Sequence, residues 1–219
     1  MTCGGRGLSI TDALIENQIV ISLRPLQRSE KRQSPQQPDT DQQMPSLRSH
    51  RNNAIISAEQ NHSMTAEKVA DYPRPPRLEV SPDHVLVRVG GDVLFDGVGC
   101  MRVLETFHPP TYYLPPASTN QKLLIPAAGR SFCEWKGVAD YFDVMVGEHR
   151  IHRAVWRYSS PTESFQAIAG WFALYPGLMD GCWLNGEQVT AQPGGFYGGW
   201  ISSAVEGPFK GDPDHPELI

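Results

Sequence analysis

The spacing of apolar residues is strand-like over most of the chain from residue 85 onward. Val85-Leu86-Val87-Arg88-Val89 and Asp92-Val93-Leu94-Phe95 flank Gly90-Gly91, two residues free to take positive φ, which predicts a tight hairpin. Met101 to Thr106 predicts the next strand, with Glu105 on the same face as Met101 and Val103. A carboxylate turned toward a buried surface needs a partner or a raised pKa. His108-Pro109-Pro110 is expected to end that strand, and Thr111 to Leu114 forms a short one closed by Pro115-Pro116. Leu123-Leu124-Ile125 then leads into an expected turn over Pro126 to Gly129. The extended stretch Ser131-Phe132-Cys133-Glu134-Trp135-Lys136-Gly137 follows. Alternation puts Cys133 and Trp135 on one side of it and Phe132, Glu134 and Lys136 on the other. Tyr141 to Val146 and Ile151 to Tyr158 add two strands around Gly147-Glu148, with Ala154, Trp156 and Tyr158 sharing a face. Strands that follow one another without long helical crossovers pair antiparallel.

One segment switches to the helical period. Ser160-Pro161-Thr162-Glu163 has the form of a capped start, and Phe165, Ile168, Ala169 and Phe172 recur at i, i+3, i+4 and i+7. This predicts an α-helix over about 161–174, stopped by Tyr175-Pro176-Gly177. A last hairpin is expected at Cys182-Trp183-Leu184, Asn185-Gly186, Glu187-Gln188-Val189, Asn-Gly favouring a type I′ turn. From Gln192 to Gly211 the chain is glycine-rich and is expected to be irregular but pinned by Phe196, Tyr197, Trp200 and Phe209. The pattern as a whole gives a mainly β domain with one helix.

Composition separates residues 1–63 from this domain. All twenty aromatic residues lie beyond them, and Arg24 to His62 is dominated by Gln, Ser, Arg, Asn and Pro. Such a segment cannot bury enough apolar surface to offset chain entropy, so it is expected to be disordered, with a short apolar exception between Ile10 and Leu26. Met64-Thr65-Ala66-Glu67-Lys68 reads like a protein start. Residues 1–63 are therefore expected either to precede the natural start or to form a regulatory or targeting tail.

The chain has 219 residues with 40% hydrophobic content, enough for a real core, and a formal net charge of −5. That balance, without clustered Lys and Arg in the aromatic-rich part, argues against a nucleic-acid or membrane-surface partner. Cys3, Cys100, Cys133 and Cys182 are far apart and form no CxxC pair, so no metal site or other cofactor is predicted. Reduced thiols, with neither an apolar run of about 18 residues nor a signal-peptide pattern, lead to a cytoplasmic expectation.

The chemistry-bearing residues leave two readings open. In the first, Tyr113, Trp135, Trp156 and Tyr158 wall a pocket for a small molecule, and Glu105 and Lys136 orient the ligand. In the second, the domain is an enzyme acting on a small metabolite or nucleotide, with Cys133 as nucleophile or Glu105 and Lys136 as acid and base. Each group also has a bland reading: Cys133 as a buried small residue, the aromatics as core, Glu105 and Lys136 as a structural ion pair. His108 and His152 are candidate proton shuttles near neutral pH, with exposure beside turns or strand ends as the expected reading. Oligomeric state is not encoded in any of these features.

Val103-Leu104-Glu105-Thr106, Tyr112-Tyr113-Leu114-Pro115, Cys133-Glu134-Trp135-Lys136-Gly137, Ala154-Val155-Trp156-Arg157-Tyr158 and Ala173-Leu174-Tyr175 together resemble the DUF427 family of uncharacterised bacterial proteins. Pro193 to Ile201 and Gly207 to Gly211 look like one branch of it. The resemblance spans about 78–211 and leaves 212–219 as a short tail. It implies a β-tent, two small antiparallel sheets meeting at an angle, a fold shared with zinc-bearing domains. Those relatives hold zinc with paired cysteines, which this chain lacks. The nucleotidyltransferase-like label attached to parts of the family finds no G-x-x-x-x-G-K-[ST] loop and no closely spaced acid pair here.

Overall fold

A computed structural model describes residues 65–218. The expectations for residues 1–63, disorder and an upstream or regulatory role alike, lie outside the described residues. Fifteen strands occur among these residues, most of them short. The first two are β1 (Glu67–Lys68) and β2 (Arg77–Val80). The predicted hairpin forms β3 (Val85–Val89) and β4 (Asp92–Gly97), with Gly90 and Gly91 at φ 59° and 84° in its turn. In β3 the alternation holds to the residue: Val85, Val87 and Val89 are all fully buried.

β5 (Met101–Glu105) pairs with β6 (His108–Tyr113). Strand β6 runs through Pro109 and Pro110, which had been expected to break it. It lies at the edge of the sheet β2-β5-β6, where a residue without an N–H costs no ladder bond on the open side. The turn expected at Pro126–Gly129 is likewise absent. β7 (Leu124–Cys133) is continuous and absorbs the irregularity as a bulge between Ala127 and Arg130. β8 (Gly137–Val146) and β9 (His149–Tyr158) complete three long antiparallel strands.

The predicted α-helix does not form. Glu163–Ile168 is a 3-10 helix, and Phe172–Leu174 is strand β10, paired with β9 as Phe172↔Arg157. Gly170, at φ 78°, ends the helical path, and its N–H donates to Tyr158 O. Beyond it the open edge of β9 supplies a ladder that an i, i+4 apolar pattern does not reveal. The cap differs as well: Thr162 flanks the 3-10 helix, and its hydroxyl donates to Trp135 O instead of capping.

β11 (Gly181–Leu184) and β12 (Glu187–Gln188) form the last predicted hairpin, with Asn185 and Gly186 at φ 51° and 87°, as a type I′ turn requires. β13 (Thr190–Ala191) pairs with β14 (Trp200–Ile201), and β15 (Val205–Glu206) runs parallel to β1. The architecture is therefore mainly β and largely antiparallel. The two sheets of the expected tent are resolved into two of four strands, β10-β9-β8-β7 and β12-β11-β3-β4, one of three and two of two.

Apolar side chains gather in two main clusters. The larger includes Val85, Val87, Leu94, Phe95, Phe142, Val144, Phe172 and Trp200. The second, Val103, Tyr113, Ala139, Trp156, Tyr158, Phe165, Ile168 and Ala173, lies under the candidate site. Trp200 is fully buried, so the glycine-rich segment is pinned by an aromatic as expected, whereas Phe196 in the same segment is 76% exposed.

Candidate functional site

The stretch Ser131 to Gly137 is not one strand. β7 ends at Cys133, Glu134-Trp135-Lys136 is a three-residue turn, and Gly137 opens β8 at φ 91°. A three-residue hairpin loop closed by a residue of positive φ favours glycine at that position. Trp135 and Lys136 are thus presented by a turn and not by opposite faces of a strand. The turn is held from the 3-10 segment, where Thr162 Oγ1 donates to Trp135 O and Thr162 N to Lys136 O. At the rim, Arg74 pairs with Glu134 at 2.8 Å and stands 5.8 Å from the Trp135 ring centroid.

Beneath the turn, Tyr113 from β6 and Trp156 and Tyr158 from β9 form a buried aromatic floor. Tyr113 and Tyr158 are tilted at 6.5 Å between centroids, and Trp156 packs on Tyr175 at 4.7 Å. Burial, as the largest cause, raises the phenol pKa of Tyr113, Tyr158 and Tyr175, so all three keep their protons at neutral pH. Cys133 lies beside the Tyr158 hydroxyl. A protonated phenol cannot serve the thiol as a general base. Among the described residues no histidine or carboxylate hydrogen-bonds to Cys133, while Cys100 and Cys182 are sealed in the core. Burial pushes the Cys100 thiol up to about 12.

These residues enclose a cavity of about 300 Å³, and all seven predicted site residues line it: Glu105, Tyr113, Cys133, Trp135, Lys136, Trp156 and Tyr158. Glu105 and Lys136 face it without forming an ion pair within 4.0 Å, so the structural-pair reading of these two fails. Lys136 is only 9% exposed, with its ammonium 5.5 Å from the Phe165 centroid.

Sequence reasoning missed Tyr197 and Lys210 on the same cavity, and weighed His108 as a proton shuttle but expected it to be exposed. His108 is half-buried, not exposed: it sits opposite Glu105 in the β5–β6 register, edge-on to Tyr197 at 4.7 Å. Its pKa is lowered, mainly by burial, with Lys210 and Lys136 adding to the shift and Glu105 opposing it. The ring is neutral at pH 7. Its Nδ1 lies 3.0 Å from Thr106 O, a contact that only an N–H can make, which leaves Nε2 as an unprotonated acceptor. Lys210 is placed by its own backbone N–H, which donates to Phe107 O, and by Gln192 Nε2, which donates to Lys210 O. The cluster of aromatics among the glycines was the available signal. What hid these residues was the sequence distance between Lys210 and the β5–β6 turn. His152 is exposed as expected, 3.0 Å from Asp143, and does not line this cavity.

A family model described as a domain of unknown function (DUF427) matches residues 77–185. Residues 77–185 form a DUF427 domain. No curated protein matches the chain. The DUF427 match contains every predicted site residue and His108, and it ends before the glycine-rich segment. Arg74, Phe196, Tyr197, Gly198 and Lys210 lie outside it, so the cavity is part DUF427 floor and part strap from the chain beyond. Strap and floor meet tightly. A Cβ on Gly198 would stand 2.2 Å from the Trp156 ring, and one on Gly199 2.4 Å from Gln192 Oε1 and 2.7 Å from Pro109. Among the described residues no group of three or more His, Cys, Asp or Glu is arranged to hold a metal ion. None of their helices is long and apolar enough to cross a membrane.

Proposed function

We propose that the DUF427 domain of this chain binds a small molecule in the cavity between the aromatic floor and the 134–136 turn. The observation that carries this reading is convergence. Aromatic side chains from β6, β9, the turn and the strap meet around one concavity, with Glu105, His108, Lys136 and Lys210 among the polar groups that line it. About 300 Å³ is the lower end of ligand-pocket sizes, and mostly apolar walls with a handful of oriented polar groups are the usual composition of such pockets. The test is a thermal-shift screen of the full chain against aromatic metabolites, nucleotides, methylated amines and divalent metals, because a ligand that binds only the native state raises its stability. Trp135→Ala, on a half-exposed turn, removes one wall while sparing the floor. A shift in the parent chain that disappears in this variant supports the reading. Shifts that persist unchanged in the variant place the binding elsewhere and overturn it.

One observation favours acid–base chemistry on the bound molecule as a second reading: His108 is neutral with Nε2 open, across from Glu105. In that case His108→Gln retains binding and abolishes turnover of whichever ligand the screen returns. A Cys133 nucleophile has no comparable support, because among the described residues no histidine or carboxylate hydrogen-bonds to its thiol to serve as a base.

A further inference from the structure

Charge on the cavity wall is uneven. Its lining carries three basic side chains, Arg74, Lys136 and Lys210, against two acids, Glu105 and Glu134. Arg74 and Glu134 neutralise each other at the rim. What remains is two ammonium groups facing one carboxylate, a local excess of positive charge in a protein whose net charge is −5. Neither ammonium has a carboxylate within 4.0 Å among the described residues. Lys136 in particular is nine-tenths buried as a residue, so little solvent surrounds its side chain to screen the charge. Each ammonium stands over an aromatic ring, Lys136 at 5.5 Å from Phe165 and Lys210 at 5.7 Å from Tyr197, contacts that hold the charge in place without cancelling it. The indole Nε1 of Trp135, next to Lys136, is also buried without an acceptor.

Resting on the binding reading above, we propose that the ligand is a flat ring carrying an anionic group, a carboxylate or a phosphate, held between Lys136 of the turn and Lys210 of the strap with the ring against the Trp156–Tyr158 floor. A small concavity walled by low-dielectric aromatic rings focuses the field of two uncompensated ammonium groups, so an anion is favoured there far more than at an open surface. The two cations come from different parts of the chain. Lys136 lies within the DUF427 match and Lys210 beyond it, so the strap supplies half of the anion grip. The ligand thereby bridges turn and strap. That the lysines act on one volume is supported by His108, whose protonation both of them disfavour.

The test uses three matched pairs of probes with the full chain: benzoate and benzamide, indole-3-acetate and indole-3-acetamide, adenosine 5′-monophosphate and adenosine. Affinity is read by isothermal titration calorimetry. The anionic member of at least one pair should bind roughly ten- to a hundredfold more tightly than its neutral partner, the effect of one or two charge-assisted hydrogen bonds. The carboxylate and phosphate pairs tell the two anion sources apart. Lys136→Met and Lys210→Met should each remove most of that preference while leaving the neutral member's affinity within about twofold. Trp135→Ala should weaken both members together. Because a buried Lys136 variant can perturb the turn, Lys210→Met, on a half-exposed strap, carries the decision if Lys136→Met does not fold. Equal binding of anionic and neutral members, or a preference that survives Lys210→Met, overturns the anion inference and leaves the binding reading standing. No binding by any of the six at millimolar concentration overturns both.

Discussion

The two halves of the cavity wall are built on different terms. The floor, Trp156 and Tyr158 from the long strand β9 and Tyr113 from the end of β6, is buried and belongs to the second hydrophobic cluster. The strap, Phe196, Tyr197 and Lys210, belongs to a glycine-rich segment whose aromatic tip is 76% exposed. Floor residues are fixed by the packing that stabilises the domain, so they cannot change without disturbing the fold. Strap residues are seated at few points, chiefly through Gly198 on Trp156 and Gln192 on Lys210, and their side chains are free to differ at little cost. The floor therefore sets the shape of the site, and the strap is where its selectivity is adjustable.

The largest effect separating the halves is on stability. Trp156→Ala should cost about 3–5 kcal/mol, the usual range for deleting a buried indole, and unfold the domain at markedly lower urea concentration. A near-neutral result would show that the floor is not part of the core. Next comes the junction: Gly198→Ala drives a methyl into Trp156 and should destabilise by about 1–3 kcal/mol, an overpacking cost, while lifting the strap from the floor. Amide exchange of the strap is the discriminating measurement, and unchanged protection there would contradict this seating. Smaller still is Phe196→Ala, within about 0.5 kcal/mol of the parent in urea because the ring is exposed; any larger loss would make the strap tip structural.

The finest distinction is in proton binding. His108 has a folded-state pKa below the ordinary imidazole value of 6.5. As pH falls below that value the unfolded chain takes up the proton first, so the stability associated with neutral His108 is complete above about pH 6.5 and is lost as pH descends toward the folded pKa. Urea titrations at about pH 7.5 and 5.5 should show a steeper loss for the parent than for His108→Gln. Ring-proton NMR should place the parent His108 pKa below 6.5, raised by Lys136→Met or Lys210→Met and lowered further by Glu105→Gln. A His108 that titrates normally, indifferent to both lysines, would separate strap from floor electrostatically.

Much of the floor was legible in the sequence. Alternation located β3, β4, β5, β8 and β9, two glycine-bearing turns fixed their hairpins, and the aromatics on β9 were recognised as a wall. The errors share a cause. Pro109 and Pro110 stay in a strand because β6 is an edge, the break at Pro126–Gly129 is a bulge because β8 holds both sides of it, and 172–174 is a strand because β9 had an open ladder. In each case the deciding partner is remote in sequence and invisible to a local period.

By itself the sequence determined the class of fold, the family, and the residues of the floor and turn, because those depend on local alternation, turn chemistry and separated motifs in order. Only the tertiary structure decided that Glu105 and Lys136 remain unpaired, that burial with the two nearby lysines lowers the His108 pKa, and that the contact with Thr106 O sets its tautomer. It alone decided that Lys210 closes the same cavity. Those facts rest on distances between groups brought together from residues 74 to 210, and charge interactions depend on distance in space and not along the chain.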